Sequence, residues 1–149
     1  MLNKNIVEKL SIIEGIESKY GQSIVKKAAE NDFFDFENWL LTEGFRNSSL
    51  DFKDYIDLMT DYNGFNFNGL FVYSIDRKDE HNIYEENDIL WENEEQKEFI
   101  FFADDSISWY CLSIRNMKYH ILDKPSGTVM QSFISFFDML DIALGAVTP

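Results

Sequence analysis

The sequence predicts an α+β domain: helices first, then a meander of antiparallel strands, then one helix packed back on the sheet. Three observations carry this. Apolar residues recur at helical spacing through roughly the first sixty positions and again near the end. From Glu98 onward, short apolar blocks alternate with turn residues, as strands of a meander do. Between the two regions lies Ser48 to Ser74, which reads as a helix, two Asn-Gly turns and a buried strand. With 149 residues, the chain has the size of one domain, 1–149, able to bury about two-thirds of its unfolded surface.

Ile6, Leu10, Ile13, Ile16 and Tyr20 mark a first helix closed by Gly21. Ile24, Val25, Ala28 and Ala29 suggest a short second one. Asp32 is placed to cap a third, with Phe36, Trp39 and Leu40 on one side and Gly44 at its end. Arg46-Asn47-Ser48-Ser49 reads as a polar linker. The next helix carries Phe52, Tyr55, Ile56, Met59 and Tyr62 on one face and Asp51, Lys53, Asp54, Asp57 and Asp61 on the other. Ser48 with Asp51 forms a capping-box pattern. Asn63-Gly64 stops this helix, with Gly64 at the left-handed C′ position. Asn68-Gly69 turns the chain into Leu70 to Tyr73, so the turn carries Phe65 and Phe67, either packed or displayed to a partner.

Residues 76–105 hold twelve acids against Arg77, Lys78 and Lys97, a net −9 out of −14 for the chain. Ile83, Tyr84, Ile89, Leu90 and Trp91 interrupt the acids, which predicts a surface segment tethered to the body. Strands follow at Glu98 to Ala103, Ser108 to Ser113 and Lys118 to Asp123, with turns at Asp104-Asp105-Ser106 and Arg115-Asn116. Lys124-Pro125-Ser126-Gly127 reads as a type I turn, with Pro125 at its second position and Gly127 at its fourth. Thr128 to Met130 is a further strand. Ser135 and Asp138 cap a last helix with Phe136, Phe137, Leu140 and Leu144 apolar.

Composition narrows function. So acidic a surface suits neither nucleic acid nor anionic lipid, because binding phosphates relies on Lys and Arg. It favours a basic protein partner. The start of the chain lacks the apolar run of a signal peptide and no stretch approaches a membrane span, so a cytoplasmic protein is expected. The single Cys111 excludes an internal disulfide and reads as a buried, unreactive thiol. His81 and His120 are the only imidazoles, read as surface or edge residues, and neither stands at metal-ligand spacing. Glu85-Glu86, Glu94-Glu95 and Asp104-Asp105 are carboxylate pairs without a calcium-loop pattern, so no metal or cofactor is expected. Of Trp109 and Tyr110, neighbours on a strand, one must point inward.

Several of these residues also carry a resemblance. Tyr55-Ile56-x-Leu58-Met59-x-x-x-Asn63-Gly64-x-Asn66-x-Asn68-Gly69-Leu70-Phe71-x-Tyr73 resembles the helix-to-strand signature of the SUKH superfamily, in its YrhA-like branch. Phe101-x-x-Asp104-Asp105-Ser106-Ile107-Ser108-Trp109-Tyr110, then Asp123-Lys124-Pro125-Ser126-Gly127, are similar to that branch's second and third motifs. The segment from Phe133 to Leu140 is similar to its closing helix. The resemblance covers residues 48–144, with 1–47 as a helical lead-in. It implies a SUKH-like fold and a bacterial immunity protein, not an enzyme, that neutralises a cognate toxin by stoichiometric binding. The candidate contact residues are Asp76, Asp79, Glu80, Glu85, Glu86, Glu94, Glu95, Asp104 and Asp105. Asn63, Gly64, Asn68, Gly69, Trp109, Pro125 and Gly127 are expected to be structural. Two other functions are open to the sequence: a regulatory module with a housekeeping partner, and a hydrolase built on a carboxylate pair.

Overall fold

Six antiparallel strands in sequential order form the centre of the molecule: β1 (Phe65–Phe67), β2 (Leu70–Val72), β3 (Phe99–Asp104), β4 (Ser108–Ser113), β5 (Tyr119–Asp123) and β6 (Val129–Phe133). The computed structural model describes residues 1–45 and 52–149. Among these are five α-helices: α1 (Lys4–Ser18), α2 (Glu30–Thr42), α3 (Lys53–Asp61), α4 (Ile83–Leu90) and α5 (Phe136–Gly145). The fold is α+β, with α5 packed on the sheet. The expected linker at Arg46–Ser49 and the Ser48–Asp51 capping box lie outside the described residues.

The apolar spacing places most helices well, and the departures have local causes. In α1, Ile6, Leu10 and Ile13 are buried, but Tyr20 lies beyond the helix end and is exposed. The short helix expected at Ile24–Ala29 does not form. Instead Lys26 N donates to Asp61 O at 2.9 Å and Lys26 O accepts from Asn63 N at 2.7 Å, so the segment is extended beside the end of α3. Asp32 does not cap α2 as its first residue. The helix begins two residues earlier, and the Asp32 carboxylate reaches back to accept from Ala29 N at 2.8 Å. Ser135 caps α5 as expected, accepting from Phe137 N at 3.1 Å.

The core lies between the sheet and α1, α3 and α5. Its centre is Phe102, whose ring meets Tyr55 at 4.9 Å, Phe136 at 5.3 Å, Phe52 at 6.0 Å and Tyr119 at 6.1 Å. Such offset and edge-on contacts add to area burial. Phe101 faces the opposite side of the sheet, against Phe99 and Trp109. Tyr110 is the buried member of its pair and Trp109 is half-buried. The strands from β2 to β5 match expectation within about a residue, β6 runs three residues further than Met130, and β1 forms where Phe65 and Phe67 were expected on a turn. The turn after β5 is not type I: the Lys124-Pro125 bond is cis, and Gly127 N donates to Asp123 O at 2.7 Å across five residues.

Asn63-Gly64 is the junction from which helices and sheet are aimed. Asn63 is fully buried; its Oδ1 accepts from Ile75 N at 2.9 Å, and its Nδ2 donates to Asp32 of α2 at 3.4 Å. Gly64 has the expected positive φ of 79°, but one residue past C′, since α3 ends at Asp61 with Tyr62 as its cap. A Cβ on Gly64 would also sit 2.4 Å from the Ser74 Cβ. The second pair, Asn68-Gly69, has φ of 48° and 84° and joins β1 to β2 with Phe67 opposite Leu70. That is the two-residue hairpin such a dipeptide favours. Phe65 and Phe67 are buried beneath it, so they do not form a displayed anchor for a partner.

The two glycines separate strain from space. Gly69 has open room for a Cβ, so Gly69→Ala should lose about 1 kcal/mol from φ alone. Gly64→Ala carries the same strain plus the clash with Ser74, and should lose clearly more, about 2–4 kcal/mol. Denaturant unfolding of the two variants checks this; equal losses would show that the close approach of Ser74 is unimportant.

Candidate functional site

The acidic stretch of residues 76–95 folds into a loop and a helix fixed to the body by its uncharged residues. Ser74 begins it: Ser74 N donates to His81 O at 3.1 Å and Ser74 O accepts from Ile83 N at 2.8 Å, closing the loop on itself. Asn82 is fully buried, donates to Asp79 O and Arg77 O, and caps α4 by accepting from Glu85 N at 2.9 Å. Tyr84 Oη donates to Ile75 O at 2.9 Å, and its ring lies under the Arg77 guanidinium at 3.9 Å. Burial pushes the Tyr84 hydroxyl above its ordinary range, so it stays protonated as a donor.

Helix α4 was not anticipated within the acidic run, and it serves as a strand substitute. Strand β2 pairs with β3 only at Ala103 and Asp104, leaving the earlier part of β3 without a neighbour on that side. There Asn87 supplies both partners of a backbone. Its Oδ1 accepts from Phe101 N at 2.8 Å and its Nδ2 donates to Phe101 O at 2.9 Å. One helical turn on, Trp91 Nε1 donates to Phe99 O at 2.8 Å. Four helical residues rise about 6 Å, close to the roughly 6.6 Å spanned by two strand residues, so positions i and i+4 of a helix can follow alternate residues of a strand edge. Trp91 also stacks on Trp39 of α2, with centroids 5.7 Å apart and planes 7° apart.

With its inner side occupied, the segment turns its acids outward. Glu80, Glu85, Glu94 and Glu95 are exposed, as are Asp88 and Glu92. The other sequence candidates are engaged within the fold. Asp76 and Asp79 hold Lys26, whose Nζ lies 3.6 Å and 2.5 Å from them. Glu86 meets His81 Nδ1 at 3.0 Å, and the His81 ring packs on Phe71 at 4.5 Å. Asp104 accepts the hydroxyl of buried Tyr73 and lies 3.5 Å from Lys124 Nζ. Asp105 accepts from Ile107 N, Ser108 N and Tyr110 Oη. Asp104-Asp105 is therefore a turn device in which carboxylates satisfy two buried tyrosines.

Large apolar residues are also exposed on α2 and α4. Phe34 and Leu41 are 61% and 63% exposed on α2, seven residues apart and so on one line of the helix. Ile89 is 60% exposed on α4, between Asp88 and Glu92 along the chain. The signal was present in Phe33-Phe34 and Leu40-Leu41, since adjacent helical residues cannot both face the core. Helices α2 and α4 meet through Trp39, which contacts both Tyr84 and Trp91. Around α4 the exposed surface is acidic, with Ile89 as an isolated large apolar side chain within it.

The remaining candidates are structural. His120 is buried, not at the surface: its Nδ1 pairs with Ser132 Oγ at 2.7 Å and its ring meets Phe99 edge-on. Desolvation lowers its pKa, Glu98 working the other way. Cys111 is fully buried, and burial pushes its thiol far up. Among the described residues, no group of three or more His, Cys, Asp or Glu is placed to hold a metal ion. No described helix is long and apolar enough to cross a membrane. A cleft of about 360 Å³ between residues 22–26 and the β1–β2 hairpin is lined by Glu17, Lys26, Asp79, Glu80 and His81 among others.

No family model, no curated protein and no solved structure matches this chain.

The buried histidine predicts a pH dependence. Its folded pKa lies below the ordinary 6.5, so its contribution to stability is complete above that value and is lost as pH falls toward the folded pKa. Between about pH 7.5 and 5.5, the wild type should lose more unfolding free energy than His120→Gln, which cannot titrate. Denaturant unfolding at both pH values measures it, and parallel losses would contradict the assignment.

Proposed function

We propose that this protein is a SUKH-type immunity protein that neutralises a cognate bacterial toxin by stoichiometric binding within the cytoplasm. The observation that carries the reading is an ordered acidic surface: six outward carboxylates on a loop, a helix and a 3₁₀ turn (Glu94–Glu98) whose inner side chains are spent on holding the backbone. A pre-ordered surface loses little conformational entropy on binding. Its charge speeds encounter with a basic partner. The resemblance of the 55–73, 101–110 and 123–127 motifs to the YrhA-like branch supplies the kind of partner. Toxins that cut nucleic acids need a basic surface to hold phosphates, and an acidic inhibitor competes for that surface.

Glu80, Glu85, Glu94 and Glu95 form the core of the proposed contact, with Asp88, Glu92 and the apolar Ile89 around it. Asp76, Asp79, Glu86, Asp104 and Asp105 act indirectly, by shaping the surface through internal bonds.

The test is co-expression with the product of the neighbouring toxin gene. Rescue of growth should saturate near a one-to-one ratio, whereas protection at strongly sub-stoichiometric levels would indicate catalysis. With the purified pair, Glu85→Lys, Glu94→Lys and Glu95→Lys combined should lower the association rate at least about tenfold at low salt and flatten its salt dependence, with the melting temperature nearly unchanged. Unaltered association kinetics in the folded triple variant would remove this surface from the interface.

A further inference from the structure

The chain contains two Asn-Gly pairs, and the fold treats them in opposite ways. In any such pair the backbone nitrogen of the glycine can attack the asparagine side-chain carbonyl, because no Cβ stands in its path. At Asn63-Gly64 every group needed for that attack is engaged. Asn63 is fully buried, its Oδ1 accepts from Ile75 N at 2.9 Å and its Nδ2 donates to Asp32 at 3.4 Å. The nucleophile is held as well, since Gly64 N donates to Tyr62 O at 2.8 Å. At Asn68-Gly69 both residues are exposed. Among the described residues, Gly69 N donates to no acceptor. A single bond of 3.1 Å, from Asn68 Nδ2 to Val147 O, holds the side-chain amide. The hairpin that carries this pair has three residues in each strand and lies at one end of the sheet, so its turn can fray while the other strands stay paired.

We propose that Asn68 is a site of spontaneous deamidation, whose conversion to a carboxylate loosens the β1–β2 hairpin and cuts its tie to Val147. Solvent base removes the Gly69 N–H proton, and the nitrogen bonds to the side-chain carbonyl carbon of Asn68. The bond from that carbon to Nδ2 then breaks, the amide nitrogen leaves as ammonia, and a succinimide ring is closed. Water opens the ring at either carbonyl, giving aspartate or isoaspartate, so one water is consumed and one ammonia released. Neither product can restore the bond to Val147 O, because an ionised carboxylate has no proton to donate. Isoaspartate also routes the main chain through the former side chain, adding a backbone atom to a turn that fits two residues. Each product brings one further negative charge to a chain already at −14. This inference is independent of the toxin reading, since it draws on neither the acidic segment nor its partner.

Incubation of the folded protein in mildly alkaline buffer, followed by peptide mapping with mass spectrometry, tests it. Asn68 should convert at least about tenfold faster than Asn63, because the first needs only a frayed turn and the second a global opening. In denaturant the two pairs should convert at similar rates, so that the fold and not the dipeptide makes the difference. The converted fraction, separated by ion exchange on its added charge, should exchange the backbone amides of β1 and β2 at least about tenfold faster than unmodified protein. The amides of β4 and β5 should stay protected in both. An Asn68 that keeps its amide in the folded protein for about ten times as long as the denatured chain takes to convert would overturn the proposal. So would equal conversion of Asn63 and Asn68 in the folded state, or a converted form whose hairpin exchanges like the unmodified one.

Discussion

The bonds from Asn87 to the backbone of Phe101 are the interaction on which most of this structure depends. Strand β3 is the central span of the core, with Phe102 on one face and Phe101 on the other. Its neighbour β2 is too short to satisfy it. An unpaired backbone N–H and C=O in a buried strand would cost free energy comparable to the bonds themselves. Asn87, fully buried, provides a donor and an acceptor on one side chain, which no apolar residue and no carboxylate can do. Trp91 repeats the device one turn later with its single donor. The sheet thus continues into a helix, and α4 is held against β3 by bonds of the ladder type.

This arrangement explains why so acidic a segment is ordered. Clustered carboxylates repel one another, and an isolated eight-residue helix is marginal in water. Here capping by Asn82, packing of Tyr84 under Arg77 and the Asn87 and Trp91 bonds offset the repulsion. The carboxylates are then fixed in space instead of spread over a flexible tail. The same division of labour recurs at the other acidic pair: Asp104 and Asp105 face inward to hydroxyls of Tyr73 and Tyr110, whereas Glu94 and Glu95 face solvent. Two pairs of like composition therefore do opposite jobs, decided by which backbone and hydroxyl groups lie within reach.

How much of this was legible in the chain depends on the range of the forces involved. Asn68-Gly69 and Ser135 act within three residues, and each was readable from spacing alone. The α+β order followed from periodicity. Residues 22–29 misled because Ile24, Val25, Ala28 and Ala29 have helical spacing, yet the backbone of Lys26 is claimed by the end of α3, more than thirty residues away. Helix α4 was hidden because its inner face is Ile83, Tyr84 and Asn87, of which Asn87 reads as polar until β3 is placed beside it. His120 was misjudged for the same reason: its burial comes from Phe99 and Ser132, on strands before and after its own. Of the candidate site, the concentration of acid was visible, but which acids remained free was set by Lys26, His81, Tyr73 and Tyr110 across the fold.

The most direct test of the central claim is amide hydrogen exchange at Phe101. If Asn87 completes the β3 edge, the Phe101 amide is among the slowest in the protein. In Asn87→Leu, similar in shape but unable to bond, it should exchange at least about a hundredfold faster, together with the amides of α4, while β4 and β5 stay protected. A Phe101 amide that exchanges rapidly in the wild type, or slowly in Asn87→Leu, would contradict the account.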